Sequence, residues 1–525
     1  MLRAKHEDDH YAAAVFKYQR AMAVDLHNTQ PVFVCMDDKA KIPIGEPDRP
    51  TSTNVRSRPS LVAKGHPLTA MDHDHSKASL TPSVILRSTV PTDSNGSFYH
   101  GQADIRVKDS VFEQSGPFRH MAELSASVRQ EQGQECPPVL FAYTDGGTDH
   151  RLTCKSVQLA YIALFVHEDL DLLVAGRTCP GHSFANPAER VMSTLNLGLQ
   201  NAAFARAKMS EEREASIKQA NSMAAIRAVA SRCQGIQEAW LECVQPVKDV
   251  IMSRFSRLIY GGNQVRVLDT VSAASMSQVV KDLWPDIDLQ KLTAKDMANK
   301  GGFQQFVKTH CRARQYSFQI RKCGEVPCQA GVCKKPRSDL QSLYWLPDPQ
   351  PDPTNPGHFL PFAKLKGRNT EELHCPSLQR KADEQGSKIP AGMAVGQKLR
   401  STVQCGECSK PRGIYSNKVL TTMEQQQLAV LLEQVEYTCG SPLTTEGSDL
   451  HGQVFVQLSL RCHDHVEFAY FACPRKKPDV CCHCGGLDAL RDPALLQKFK
   501  VVLPVCEACK GCHPAITRHP RTSKQ

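Results

Sequence analysis

The most constraining feature of the chain is a pair of cysteine knuckles. "CCHCGG" at 481–486 and "PVCEACKGC" at 504–512 place Cys481-x-x-Cys484 and Cys506-x-x-Cys509 with 21 residues between them. A two-residue gap lets one tight turn aim two sulfurs at a single point. Two such turns supply the four soft donors that tetrahedral zinc requires. Reduced core cysteines have no reason to fall into paired two-residue spacing. Zinc here would stand in for a core too small to stabilise itself. Cys482 and Cys512 are spare donors on the same turns.

The wider cysteine usage points the same way. Eleven of the 22 cysteines lie between Cys405 and Cys512. The opening "MLRAKHEDDHY" has neither an apolar segment nor a small-residue cleavage site, so the expected setting is reducing, where cysteines serve more often as metal ligands or core residues than as disulfides. A second centre is expected from Cys405-x-x-Cys408, with Cys439 and Cys462 as partners and with Cys473, His463 and His465 competing for the same role. A third set, His310 with Cys323, Cys328 and Cys333, has ligand-like spacing without a C-x-x-C knuckle, and buried reduced cysteines would explain it equally.

At 525 residues the chain is too long for a single core, and two or three domains are expected. Hydrophobic residues at 41% and charged residues at 22% exclude a wholly disordered or collagen-like chain. The longest apolar runs, such as "LAYIALFV" at 159–166, are far short of the roughly 20 residues that span a bilayer, so no membrane association is expected. The net charge of +10 is a mild basic excess that favours phosphate-rich partners without naming one.

Strand and helix signals alternate through the first two hundred residues. "HEDDHYAAAVFKYQRAMAVDL" (6–26) reads as a helix, followed by apolar strands at "PVFVCMDD" (31–38), "SVILRSTV" (83–90), "PPVLFAYTDGG" (137–147) and "LDLLVAG" (170–176). Helical stretches fall at 119–130 and 155–166. That alternation is the signature of an α/β layer fold. From 187 to 260 the pattern is helical, with Ile236, Trp240, Val244, Val247, Ile251, Phe255 and Leu258 forming a core-facing stripe, Pro246 expected to kink it or start a second helix, and Gly261-Gly262 closing it.

Three acidic residues stand where such a sheet would gather them. Asp37 ends the first strand, Asp145 follows the "VLFAYT" strand, and Glu189 lies at the third position of a helix capped by Asn186 and opened by Pro187. Taken singly they serve as turn residues or as the acid of a capping box. Taken together, carboxylates at the carboxyl ends of neighbouring strands point into one crevice, where like charges are costly unless a cation neutralises them. Hard oxygen donors suit magnesium or manganese.

The order Asp37, Asp145, Glu189, set in "VFVCMDDKAKIPIGEP", "LFAYTDGGTDHR" and "NPAERVMS", resembles the DDE-type transposases and integrases with an RNase H-like core. The separations are 145 − 37 = 108 and 189 − 145 = 44 residues, a wide gap then a short one as in that family. The N-P-x-E opening of the last helix, and Asp145 followed by His150, are similar to mariner-like elements. The resemblance covers residues 30–200. It implies that Asp37, Asp145 and Glu189 hold two Mg2+ or Mn2+ ions while water or a DNA 3′-hydroxyl attacks a phosphodiester. It also implies DNA as partner and a homo-dimer. Asp38 competes with Asp37 and Asp149 with Asp145, since one residue of register reverses the face, and the earlier aspartate of each pair is preferred because it directly follows the apolar strand. His150 and Arg151 are candidates for holding a phosphate oxygen or for a surface pair, and Lys39 and Lys41 are expected to be solvated. The family places a DNA-binding module ahead of the core, yet only about thirty residues precede the first strand, so recognition is expected in the C-terminal third or in an upstream segment.

The expected organisation is an N-terminal helix (1–27), an RNase H-like core (28–200), a helical extension (201–310), a Cys/Pro-rich linker region with a zinc site open to it (311–400) and C-terminal zinc modules (401–525). Lys410, Arg412, Arg475, Lys476 and Lys477 are candidate phosphate contacts of the modules or simply their solvated surface. "PRKKP" at 474–478 reads as a nuclear import signal. Two functions are consistent with these features: a metal-dependent DNA strand-transfer or nuclease protein, or a non-enzymatic zinc protein that binds DNA or chromatin and keeps the α/β domain as scaffold.

Overall fold

The computed structural model describes residues 8–520 apart from 54, 56–77, 94, 133–134, 148, 180–181, 221–222, 290–291, 293–296, 326, 371–373, 377–391, 406–407, 409, 435–436, 438, 441, 445–447, 462–463, 474–477, 488 and 511–514. The chain forms two compact units, one built from Met1–Leu292 and Met297–Gln379 and the other from Arg380–Gln525.

The first unit is a mixed α/β structure on a nine-stranded sheet. Its elements are α1 (Asp9–Asp25), β1 (Val32–Asp38), β2 (Ser79–Ser88), β3 (Gly101–Asp109), α2 (Pro117–Gln132), β4 (Val139–Thr144), α3 (Lys155–His167), β5 (Leu172–Arg177), α4 (Ala188–Leu199), α5 (Ile236–Phe255), β6 (Arg266–Leu268), α6 (Ala274–Leu283), α7 (Gly301–His310), β7 (Cys311–Ala313) and β8 (Ser317–Arg321). Spatially the strands run β6-β3-β2-β1-β4-β5-β8-β7, and the short strand Ile42–Pro43 also pairs with β2. β1, β2 and β3 are antiparallel neighbours, whereas β4 lies parallel to β1 and β5 parallel to β4. Parallel neighbours need a crossover, and α2 and α3 provide it.

β1 and β4 are central strands buried on both sides, which explains their near-continuous apolar sequences. Alternation then sorts their side chains. Phe33, Cys35, Val139, Phe141 and Tyr143 pack in one core with residues of α1, α4 and α5. Val34, Met36, Leu140 and Ala142 pack in the other with residues of α2, α3, α6 and α7. β3 alternates differently, with Ile105 and Val107 in the first core while Asp104, Arg106 and Lys108 are buried on the opposite side.

Three sequence expectations are corrected. Pro246 does not begin a second helix, because α5 runs unbroken from Ile236 to Phe255, with the predicted stripe buried up to Phe255 and Leu258 half-buried beyond its end. The span expected as a helical extension after residue 200 also contributes β6, paired in parallel with β3. The region expected as a linker is, up to residue 370, part of the first unit. β8 pairs with β5 and β7 with β8, Arg312 and Arg314 bind Asp348 at 2.5 and 3.0 Å, and Leu343, Leu346 and Leu365 are buried in the first core. Proline-rich sequence hid this packing, since prolines suit an extended segment laid on a core as well as a free one.

The second unit is small and poor in secondary structure. It holds a hairpin of β9 (Leu399–Gln404) and β10 (Pro411–Tyr415), a helix α8 (Thr422–Gln434), and α9 (Pro493–Lys498), whose cap Asp492 accepts from the backbone N–H of Ala494 at 2.9 Å. One of its apolar clusters consists of Cys481, Ala489, Cys506 and Cys509 with Cys484 and Val505 beside them, so thiols make up most of that core.

Phe318 on β8 is 0% exposed. Phe318→Ala is expected to cost about 3–5 kcal/mol in urea unfolding, the loss for truncating a buried aromatic. A cost below about 0.5 kcal/mol, typical of a surface site, would return this segment to a linker.

Candidate functional site

The carboxylates are placed by strand parity. Asp37 follows Phe33 and Cys35 on β1, and Asp145 follows Phe141 and Tyr143 on β4, so both continue the face that packs under α4. The parallel register pairs Cys35 with Tyr143 and Met36 with Thr144. One residue further on, Asp37 and Asp145 stand at corresponding positions on strands about 4.8 Å apart.

Glu189 reaches them through its helix. Asn186 accepts from the N–H of Ala188 at 3.2 Å and donates its side-chain N–H to the carbonyl of Met36 at 2.8 Å. It therefore caps α4 and ties the helix start to β1 at the residue before Asp37. Pro187 already has helical torsions, φ −55° and ψ −28°. Glu189 is half-buried in the first turn of that helix.

Asp37 feels the charge of both other acids. Asp37 is 7% exposed, and burial pushes its carboxyl well above the usual range, followed by the negative charges of Asp145, Glu189 and Asp38. Asp145 is also raised by burial, opposed by His150 and by the Gly147 N–H that it accepts at 3.0 Å. The trio lies outside the groups whose donor atoms all fall within 4.8 Å of one another among the described residues. Lys39, expected to be solvated, is half-buried and donates to Asn196 on α4 at 2.6 Å.

The alternates Asp38 and Asp149 belong to a different system. Asp38 continues Val34 and Met36 toward α2, where Lys108 lies at 3.2 Å, Ser115 donates to it, and His120 sits at 4.0 Å. His120 also pairs with Asp149 at 2.7 Å, and its ring lies 4.3 Å from that of His150, tilted by 33°. Lys108 reaches Glu123 at 3.6 Å, which accepts from Ser83 at 2.9 Å. Burial alone would raise Asp38, but Lys108 and His120 bring it below its ordinary value. His120 is 3% exposed; burial opposes its proton, yet Asp38 and Asp149 hold the imidazole above its ordinary range. His150 is buried and its pKa is lowered, first by that burial and then by His120. Among the described residues neither ring nitrogen of His150 has a hydrogen-bond partner, which corrects its expected surface pairing with Arg151. Arg151 itself donates to Thr153 at 3.3 Å.

A glycine turn lets the two systems stand side by side. Gly146 has φ +78°, where a Cβ would also meet the Thr178 carbonyl at 3.0 Å. A Cβ on Gly147 would lie 3.1 Å from Asp145 Oδ2 and 3.5 Å from Asp149 Oδ1.

The cysteines gather as well. The donor atoms of Cys481, Cys484, Cys506 and Cys509 lie within 4.8 Å of one another and could hold a metal ion such as zinc. Burial would raise the Cys481 thiol, but backbone N–H groups of Cys506, Cys484 and His483 bring it down to about 7. Cys405, Cys408 and Cys439 form a second group. Their expected partner Cys462, like His463 and Cys512, lies outside the described residues. Cys482 and Cys473 are in neither group, and His465 bonds instead to the carbonyl of Val466 at 2.9 Å. His310, Cys323, Cys328 and Cys333 form a group of their own in the first unit.

Two of the basic candidates are corrected. Lys410 and Arg412 are 4% and 1% exposed, and they donate to backbone carbonyls of Asp464 and His465 at 2.7 Å each. They brace the Cys439 loop, where Arg412 also donates to Cys439 Sγ at 3.1 Å, and are too enclosed to meet a phosphate. Arg475, Lys476 and Lys477 lie outside the described residues.

The folded pKa of His120 exceeds the unfolded value of about 6.5. Its ion pairs therefore contribute fully below about pH 6.5 and are lost as the pH rises through the folded value. His120→Gln is expected to cost about 3 kcal/mol at pH 6 and clearly less at pH 9, measured by urea unfolding. A cost that is level or larger at pH 9 would contradict a charged His120.

A scan of protein-family models, a search of curated proteins and a search of solved structures each return no match to this chain.

Proposed function

We propose that the chain is a transposase-derived DNA-processing protein, whose first unit carries an RNase H-like core that hydrolyses or transfers phosphodiester bonds with two Mg2+ or Mn2+ ions. The fold reading is supported by the strand pattern: three antiparallel strands β1–β3, then β4 and β5 added in parallel on the other side of β1. The functional reading rests on one observation. Asp37 is buried at the end of the central strand, and the largest charged influences on it are the acids Asp145, Glu189 and Asp38. Metal-free, such a group is held together against its own repulsion. Hard oxygen donors without sulfur or imidazole among them fit Mg2+ or Mn2+.

In this reading Asp37 is the shared ligand and Asp145 and Glu189 flank it. The cations would supply activation of the attacking oxygen and stabilisation of the leaving one. The chain's own work is positioning. Asn186 fixes Glu189 relative to β1, the Gly146-Gly147 turn orients Asp145, and the His120–Asp149 pair keeps the second charge system neutralised beside it. The zinc modules of the second unit are assigned to DNA or chromatin contact.

The test is Mn2+-dependent nicking of supercoiled plasmid by the purified full chain. Asp145→Asn and Glu189→Gln are each expected to slow it by about a hundredfold or more, equivalent to about 3 kcal/mol of transition-state stabilisation. Nicking unchanged by both substitutions, or no nicking by folded zinc-loaded protein, would overturn the proposal.

A further inference from the structure

We propose that His310, Cys323, Cys328 and Cys333 form a structural zinc centre in the first unit, a tetrahedral site of one imidazole and three thiolates. It is separate from the carboxylates and from the knuckles of the second unit. The four donor atoms lie within 4.8 Å of one another, although the residues come from three places. His310 is the last residue of α7, Cys323 follows β8 by two residues, and Cys328 and Cys333 lie in the loop beyond it.

The histidine is arranged as a ligand. It is 0% exposed, and its Nδ1 lies 3.0 Å from the carbonyl of Arg321. A carbonyl only accepts, so Nδ1 carries the proton and Nε2 presents its lone pair. That nitrogen lies 3.3 Å from Cys328 Sγ, while Cys333 Sγ stands beside the ring, 3.6 Å from Nδ1 and 3.8 Å from Nε2. A ring N–H donated to a backbone carbonyl is the usual outer support of a metal-bound imidazole. The sulfur side is arranged too. Backbone N–H groups of Cys333, Val332 and Ala330 converge on Cys328, as those of Cys506, Cys484 and His483 do on Cys481. Such amides stabilise a thiolate, the form that binds metal.

The centre's place explains its use. β8 extends the sheet by pairing Arg321 with Leu172 and Ser317 with Gly176 on β5. Zinc would fasten the Arg321 end of that strand to the end of α7 and to a loop with no regular secondary structure of its own. Asp145 contacts the other end of β5, where Thr178 donates to its carbonyl. The metal therefore braces the sheet edge without entering the carboxylate pocket, and the inference does not depend on the proposed nuclease reading.

The test uses the full wild-type chain loaded with zinc. Alkylation by N-ethylmaleimide, mapped by peptide, should spare Cys323, Cys328 and Cys333 while the exposed Cys233 reacts. A zinc-stripping chelator should make the three reactive while buried Cys154 stays protected. In parallel, Cys328→Ser with Cys333→Ser should lower bound zinc by roughly one equivalent, Cys484→Ser by roughly one more, and His310→Cys should keep its metal, since four thiolates also suit zinc. Alkylation of Cys328 and Cys333 in loaded protein at the rate of Cys233 would overturn the proposal. So would protection that yields to a reductant and not to the chelator, which would mean a disulfide, or an unchanged zinc count in the double variant.

Discussion

Side-chain alternation along two parallel strands is the constraint on which the first unit depends. β1 ends in Asp37 and Asp38, β4 is followed directly by Asp145, and the pleat sends consecutive residues of a strand to opposite faces. Asp37 and Asp145 continue the face that packs under α4; burial and then its acid neighbours raise Asp37, while His150 and the Gly147 N–H oppose the rise that burial causes at Asp145. Asp38 and Asp149 are instead met by Lys108 and His120. One stretch of chain thus builds an anionic pocket and a neutralised ion network a few ångströms apart. A one-residue slip of β1 would exchange Asp37 with Asp38 and leave Glu123 as the near acid beside buried Lys108.

Much of the carboxylate site is legible in the sequence because its signals are local. An apolar strand that stops at an acid, and the Asn186-Pro187 opening ahead of Glu189, both arise from short-range rules. The register of β1 against β4 does not, and it decides whether Asp37 or Asp38 turns toward the helix. The ion network is hard to read for the same reason. His120 lies in the first turn of α2, and its partners Asp38 and Asp149 arrive from β1 and the turn after β4. One cue exists: Asp104, Ile105, Arg106, Val107 and Lys108 alternate with period two, the mark of a strand with one polar face. The fold beyond residue 310 is the least legible part, since the pairing of β8 with β5 spans well over a hundred residues and prolines dominate the segment from 347 to 357.

The second unit obeys a different logic. Its apolar clusters are small, and sulfur replaces hydrocarbon where the chain has little else to bury. Zinc held by these cysteines would supply folding energy, as in other small cysteine-rich modules. This also explains why Lys410 and Arg412, which look like surface cations in the sequence, are enclosed. A loop without regular structure has carbonyls to satisfy, and long cationic side chains reach several at once.

The central claim is that Asp37, Asp145 and Glu189 constitute a divalent-cation site. Anomalous diffraction from crystals soaked in Mn2+ addresses it most directly, because the scattering locates the ion independently of any activity. The account predicts manganese at about 2.1–2.2 Å from a carboxylate oxygen of Asp37, with Asp145 or Glu189 completing its protein ligands. Manganese confined to the His120, Asp149 and His150 cluster, or absent from the Asp37 pocket at saturating concentration, would contradict it.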